Sequence, residues 1–244
     1  MKRAVIVLVC AAFAVAVSGC RRPDTGNTLN EPTIQEQIAE ESETAGKEQP
    51  VSEDSKPSEK SGMLIAYFSV PEDVDISGVD AVAGASVVVH DGKKMGNTEY
   101  VAGLIQEAIG GDLFCIETVE SYPLDHNPLV DQAADEQDEN ARPQLASHIE
   151  NLDSYETILL GYPNWWGDMP MPLYSFLEEY DFGGKTIIPF ITHGGSRASR
   201  TTDMIAKLEP EAQIYGDALV ISREDVADSE KTVKDWAKSL AIEN

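Results

Sequence analysis

Between residues 63 and 244, five short apolar runs alternate with five segments of helical periodicity. The runs cover residues 63–68, 113–119, 157–160, 185–192 and 214–221. The periodic segments cover 97–109, 129–140, 172–180, 200–208 and 229–242. Apolar runs of that length, bounded by turn residues, fit buried strands; apolar spacings of three and four fit amphipathic helices. In the first such helix Tyr100, Val101, Leu104 and Ile105 share a face, and in the last Val233, Trp236, Ala237 and Leu240 do. Strand–helix alternation predicts a parallel sheet with helices on both sides, a three-layer α/β/α fold. Five strands fit the doubly wound order 2-1-3-4-5. In that topology a ligand lies outside the strand C-termini, where the first and third strands diverge.

The residues before 63 cannot belong to this core. Lys2 and Arg3 precede an apolar stretch, 4–17, that is too short to span a bilayer comfortably and suits a signal peptide. Val17-Ser18-Gly19-Cys20 resembles the lipobox of bacterial lipoproteins, which implies cleavage after residue 19 and lipidation of Cys20. An ordinary signal followed by a chance cysteine is the alternative. Residues 20–62 are rich in Glu, Ser, Thr, Pro and Gly and hold too few large apolar side chains to offset ordering entropy. They read as a disordered tether with an end-to-end distance of roughly 35 Å. The expected location is the extracytoplasmic face of a bacterial cell membrane.

The whole chain carries a net charge of −25, and the 63–244 segment holds 33 acidic against 11 basic residues. That surface argues against nucleic acid and favours partner proteins with basic patches. Of the three cysteines, only Cys115 belongs to the domain, which excludes an intradomain disulfide. Its setting, Leu113-Phe114-Cys115-Ile116, predicts a buried structural thiol. His90, His126 and His148 show no ligand spacing, so no metal is expected.

Two stretches carry the chemistry. Gly161-Tyr162-Pro163-Asn164-Trp165-Trp166-Gly167-Asp168-Met169-Pro170 follows the third strand and places two tryptophans in a loop suited to covering a flat aromatic ligand. Gly96-Asn97-Thr98 opens the first helix, where unpaired amides and the positive dipole end favour a phosphate. With Ala66-Tyr67-Phe68-Ser69, Asn140-Ala141-Arg142-Pro143 and Thr192-His193-Gly194-Gly195, these stretches resemble the flavodoxin family over essentially the whole domain.

The resemblance implies FMN. Ser69, Asn97 and Thr98 would hold its phosphate, with Met95 at a position where family members usually carry a hydroxyl. Pro163, Asn164, Trp165, Trp166 and Gly167 would line the ring, one of the two tryptophans forming a wall. His193, Gly194 and Gly195 would approach from the next loop. Gly96 completes the phosphate turn.

A long insertion, about 70–95, separates Ser69 from that turn. Its run Ser86 to Lys93 reads as half of a hairpin turning at Asp91-Gly92, and the insertion is an excursion, a lid or a block.

The expected function is electron transfer by a membrane-tethered flavoprotein, without a catalytic acid–base or nucleophile set. A flavin-dependent oxidoreductase acting on a quinone or another small acceptor is the second reading. A degenerate, non-redox binding module is the third.

Overall fold

The computed structural model describes residues 62–74 and 86–240. The chain divides into two units, Met1–Ser52 and Glu53–Asn244, and every described residue belongs to the second. The expected signal segment, Cys20 and all of the tether except Gly62 lie outside the described residues, as does 75–85 of the insertion.

Along the chain, β1 (Met63–Tyr67) is followed by β2 (Val87–His90), β3 (Lys93–Gly96) and α1 (Asn97–Ile109). Next come β4 (Asp112–Cys115), α2 (His126–Glu139), β5 (Thr157–Pro163) and α3 (Met171–Glu179). The chain ends in β6 (Thr186–His193), α4 (Thr201–Leu208), β7 (Gln213–Ile214), β8 (Leu219–Ser222) and α5 (Glu230–Ser239). The main sheet runs β4-β1-β5-β6-β7, all parallel, with β8 also paired to β6. This is the expected order 2-1-3-4-5.

Each central strand alternates between two helical layers, as a period of two requires. Leu64, Ala66, Ile158, Leu160, Tyr162 and Ile187 pack with Leu129 of α2, Phe176 of α3 and Ile205 of α4. Met63, Ile65, Leu159, Ile188 and Phe190 face the other way, against Val101 and Ile105 of α1 and Val233 and Ala237 of α5. Gly161 interrupts the second face for a steric reason. A Cβ there would sit 2.1 Å from Phe190 Cζ, so the ring fills the space a side chain would need.

Two strands and the burial of one residue differ from the sequence reading. The expected second strand stops at Cys115; beyond it Thr118 makes only an isolated antiparallel bridge to Leu145. The expected fifth strand, 214–221, is two short strands broken around Tyr215-Gly216-Asp217. β7 pairs with the start of β6 and β8 with its end. Cys115 is half-buried rather than buried. Burial, reinforced by Glu117, pushes its thiol up to about 11, which keeps it protonated.

The insertion contains the expected hairpin. β2 and β3 pair antiparallel, and Asp91 and Gly92 both take positive φ, 51° and 74°, as a two-residue primed turn demands. The hairpin forms its own two-stranded sheet and delivers Gly96 directly into α1.

Candidate functional site

The loop after β5 is built to hold the tryptophans in place. Trp165 and Asp168 exchange backbone hydrogen bonds, each 2.9 Å, closing a turn around Trp166-Gly167. Both central residues have positive φ, 52° and 81°. Glycine adopts that conformation freely; for a bulky residue such as Trp166 it is strained and must be imposed by its surroundings. Asn164 imposes it. Its Oδ1 accepts from Gly167 N–H at 3.0 Å while its Nδ2 donates to Arg197 O at 2.8 Å and Ser199 Oγ at 3.2 Å. Asp168 pins the far side, accepting from Met169 N–H at 2.8 Å and Tyr174 OH at 3.0 Å.

The two tryptophans play different parts. Trp165 is half-buried and meets Phe68 and Tyr122 edge-on, with centroids 5.5 and 5.4 Å away. Trp166 is 59% exposed, and its Nε1 donates to Val130 O at 3.0 Å. Exposing a large aromatic in a strained, pinned conformation is costly for stability alone. It marks a surface held ready for something flat.

At the start of α1, Gly96 exists because Ser69 comes too close for anything larger: a Cβ there would lie 2.0 Å from Ser69 Oγ. Gly96 N–H donates to Glu99 Oε2 at 3.3 Å, and Glu99 N–H donates to Ser69 Oγ at 3.4 Å. Asn97 N–H donates to Ser86 O at 3.1 Å. The Thr98 hydroxyl is buried against Thr192 Oγ1 at 2.8 Å. The Asn97 side chain is different. It is 2% exposed, and neither its Nδ2 nor its Oδ1 has a partner. Such groups are normally satisfied, and leaving one unmade costs about 1–3 kcal/mol.

Asn97 lines a cavity of about 370 Å³ at the C-terminal ends of β5 and β6. Of the residues singled out from sequence, Pro163, Asn164, Trp165, Trp166, His193 and Gly194 line it as well. Ser69 and Thr98 border a narrow cleft that shares Asn97, Pro163 and Trp165 with the cavity. Four expected residues border neither space. Met95 lies in β3 and packs against the α1/α5 layer. Gly96 is buried against Ser69, and Gly167 shapes the turn. Gly195 N–H donates to His193 Nδ1 at 3.0 Å.

The structure adds residues that the sequence reading missed. Glu72, in the insertion, is 2% exposed and lines the cavity. Its Oε1 accepts from Ser86 N–H at 2.8 Å and its Oε2 from His126 Nδ1 at 2.7 Å. Thr192 closes the floor, and Arg223, just past β8, supplies a guanidinium whose buried Nε lacks a partner. The rule that ligands sit beyond strand C-termini could have pointed to Arg223. Nothing in the acidic stretch around Glu72 sets it apart from solvated charge.

Burial, reinforced by Arg197, lowers the His193 pKa, which favours the neutral imidazole. That agrees with Nδ1 accepting a hydrogen bond. Among the described residues, no cluster of His, Cys, Asp or Glu could hold a metal ion. The arrangement suits a ligand with one flat face and at least one polar group for Asn97.

A sequence profile described as Flavodoxin matches residues 87–240. The chain belongs to the flavodoxin family. The match begins after β1, yet β1 occupies the sheet centre between β4 and β5, so the insertion separates a core strand from the rest of this flavodoxin domain without displacing it. A candidate flavoprotein from Bacteroides uniformis ATCC 8492 is 28% identical, with a TM-score of 0.52, covering 74% of this chain and 99% of its own. One from Bacteroides eggerthii DSM 20697 is 25% identical, with a TM-score of 0.51, covering 74% and 98%. A flavoprotein from Lactobacillus acidophilus NCFM, crystallised in complex with FMN, is 18% identical, with a TM-score of 0.47, covering 69% and 97%. No curated protein matches the chain. Among the described residues, no helix is long and apolar enough to cross a membrane.

Proposed function

We propose that this flavodoxin-family chain binds FMN and transfers electrons, held at the extracytoplasmic face of a bacterial membrane by lipidated Cys20. The observation that carries the flavin reading is where unpaired polar atoms collect. Among the described residues, three of the four buried side-chain atoms without a partner belong to Asn97 and Arg223, and both residues line the cavity beside Trp166. The Asn97 amide, which offers both a donor and an acceptor, fits the phosphate and sugar-alcohol end of FMN. Thr98 and Ser69 border the narrow cleft that shares Asn97 with the cavity. Pro163 and the two indoles give flat, largely apolar walls for a ring.

Bound FMN would supply the redox chemistry; the chain binds, orients and tunes it. Asn164 and Asp168 hold the Trp165–Asp168 turn rigid, so a ring meets a prepared wall. Preorganisation of this kind reduces the ordering cost of binding. His193 keeps its Nδ1 engaged with Gly195, which leaves Nε2 as its free ring nitrogen.

The acidic surface supports a carrier that docks on basic partner proteins. The anchor is read from the 1–20 sequence and the tether from the polar composition of 20–62. Steady-state assay of the FMN-loaded chain with a nicotinamide donor and a quinone tests the function. A carrier shows negligible turnover until a protein reductase is added; sustained turnover with the two small molecules alone makes the chain an oxidoreductase instead.

A further inference from the structure

The cavity holds a positive charge that an acidic protein of this kind gives no reason to expect. Arg223 follows β8 directly, and its backbone N–H donates to His193 O at 2.8 Å, fixing its root at the cavity rim. The side chain is seated on Gly194. A Cβ at that glycine would meet Arg223 Cζ at 2.9 Å, Nη1 at 3.1 Å and Nε at 3.2 Å. The close approach that Gly194 allows is thus taken up by this guanidinium. Its Nε is buried without a partner. Among the described residues, the one carboxylate lining the cavity, Glu72, spends its oxygens on Ser86 N–H and His126 Nδ1.

We infer that Arg223 is the charge-tuning residue of the flavin site, favouring the reduced, negatively charged ring over the oxidised, neutral one. The inference rests on the flavin reading above. Uptake of two electrons and one proton turns the neutral ring into a singly negative one; the electrons come from a reduced donor. A cation in the same cavity, its Nε shielded from water, interacts more strongly with that product than with the starting form. A differential interaction of this kind shifts the equilibrium between the two states. Arg223 therefore opposes the surrounding acidic charge and raises the flavin potential.

The test is spectroelectrochemical titration of the full chain loaded with FMN, using dithionite, itself oxidised to sulfite, as reductant. Arg223→Gln should lower the preference for the reduced form by about tenfold, which is about 30 mV for a two-electron couple. Arg223→Lys should keep most of the preference. Gly194→Ala, at a position without positive φ, displaces only the end of a flexible side chain and should shift the potential the same way. Bound FMN with an unchanged potential in Arg223→Gln overturns the inference; if that variant does not fold, an unchanged potential in Gly194→Ala does so. A wild-type chain that takes up no FMN overturns the flavin reading, and this inference with it.

Discussion

The hydroxyls of Thr98 and Thr192 share a hydrogen bond of 2.8 Å in the interior, tying the first turn of α1 to the end of β6. Both residues are almost fully buried, at 2% and 3% exposure. The bond joins the two elements that frame the cavity floor. Thr98→Val leaves the Thr192 hydroxyl without a partner and should cost about 1–3 kcal/mol of stability. The Thr98→Val/Thr192→Val pair should recover part of that loss, because removing both partners leaves no orphan. Urea unfolding of the two single variants and the double variant measures the coupling. Simple additivity would mean that the bond contributes nothing.

Trp166 is the cleaner of the two tryptophans for testing ligand contact. Trp165 anchors two edge-on aromatic pairs, each contributing about 0.5–1.5 kcal/mol. Trp165→Ala should therefore lower stability as well as binding. Trp166→Ala removes an exposed indole and one hydrogen bond, a loss of about 0.5–1.5 kcal/mol. It should leave the fold intact and weaken flavin binding, measured by recovery of flavin fluorescence. Full retention of affinity would remove Trp166 from the site.

How far the sequence could be read depended on local punctuation. Gly96 and Gly110 bracket α1, and its apolar face repeats at helical spacing, so both of its ends were legible. α2 begins three residues before the expected Leu129, at His126, with Pro128 accommodated in the first turn, where its missing N–H does no harm. The break between β7 and β8 was not legible, because Ile214 and the run from Leu219 to Ile221 are apolar on both sides of it. Arg223 sits in Ser222-Arg223-Glu224-Asp225, which reads as a charged surface turn. Only the pairing of β8 with β6 carries it into the cavity.

Gly161 should tolerate no side chain. A Cβ would lie 2.1–2.8 Å from three atoms of the Phe190 ring, which is itself fully buried. Gly161→Ala should cost about 1–3 kcal/mol through overpacking at the sheet centre. A lowered urea midpoint would reveal that cost, and an unchanged midpoint would mean that the ring can move aside freely.

Glu209 gives the fold a pH dependence of definite sign. Burial, with repulsion from Asp181 second, pushes its carboxyl up to about 7 from the usual 4.5. The folded state then binds more protons than the unfolded state between those two values, so stability falls as pH rises through that window and levels off above it. Glu209→Gln should be more stable than wild type at pH 8 and should lose this part of the slope. Urea midpoints at pH 5 and pH 8 decide it; equal slopes in both proteins would contradict the prediction.

The most direct measurement is a visible absorption spectrum of the purified full chain after incubation with excess FMN and desalting. A flavin spectrum that co-elutes with the protein, near one equivalent, and is diminished in Trp166→Ala, is the predicted result. A folded but colourless protein that retains no FMN would contradict it and leave the Asn97 and Arg223 cavity to a different ligand.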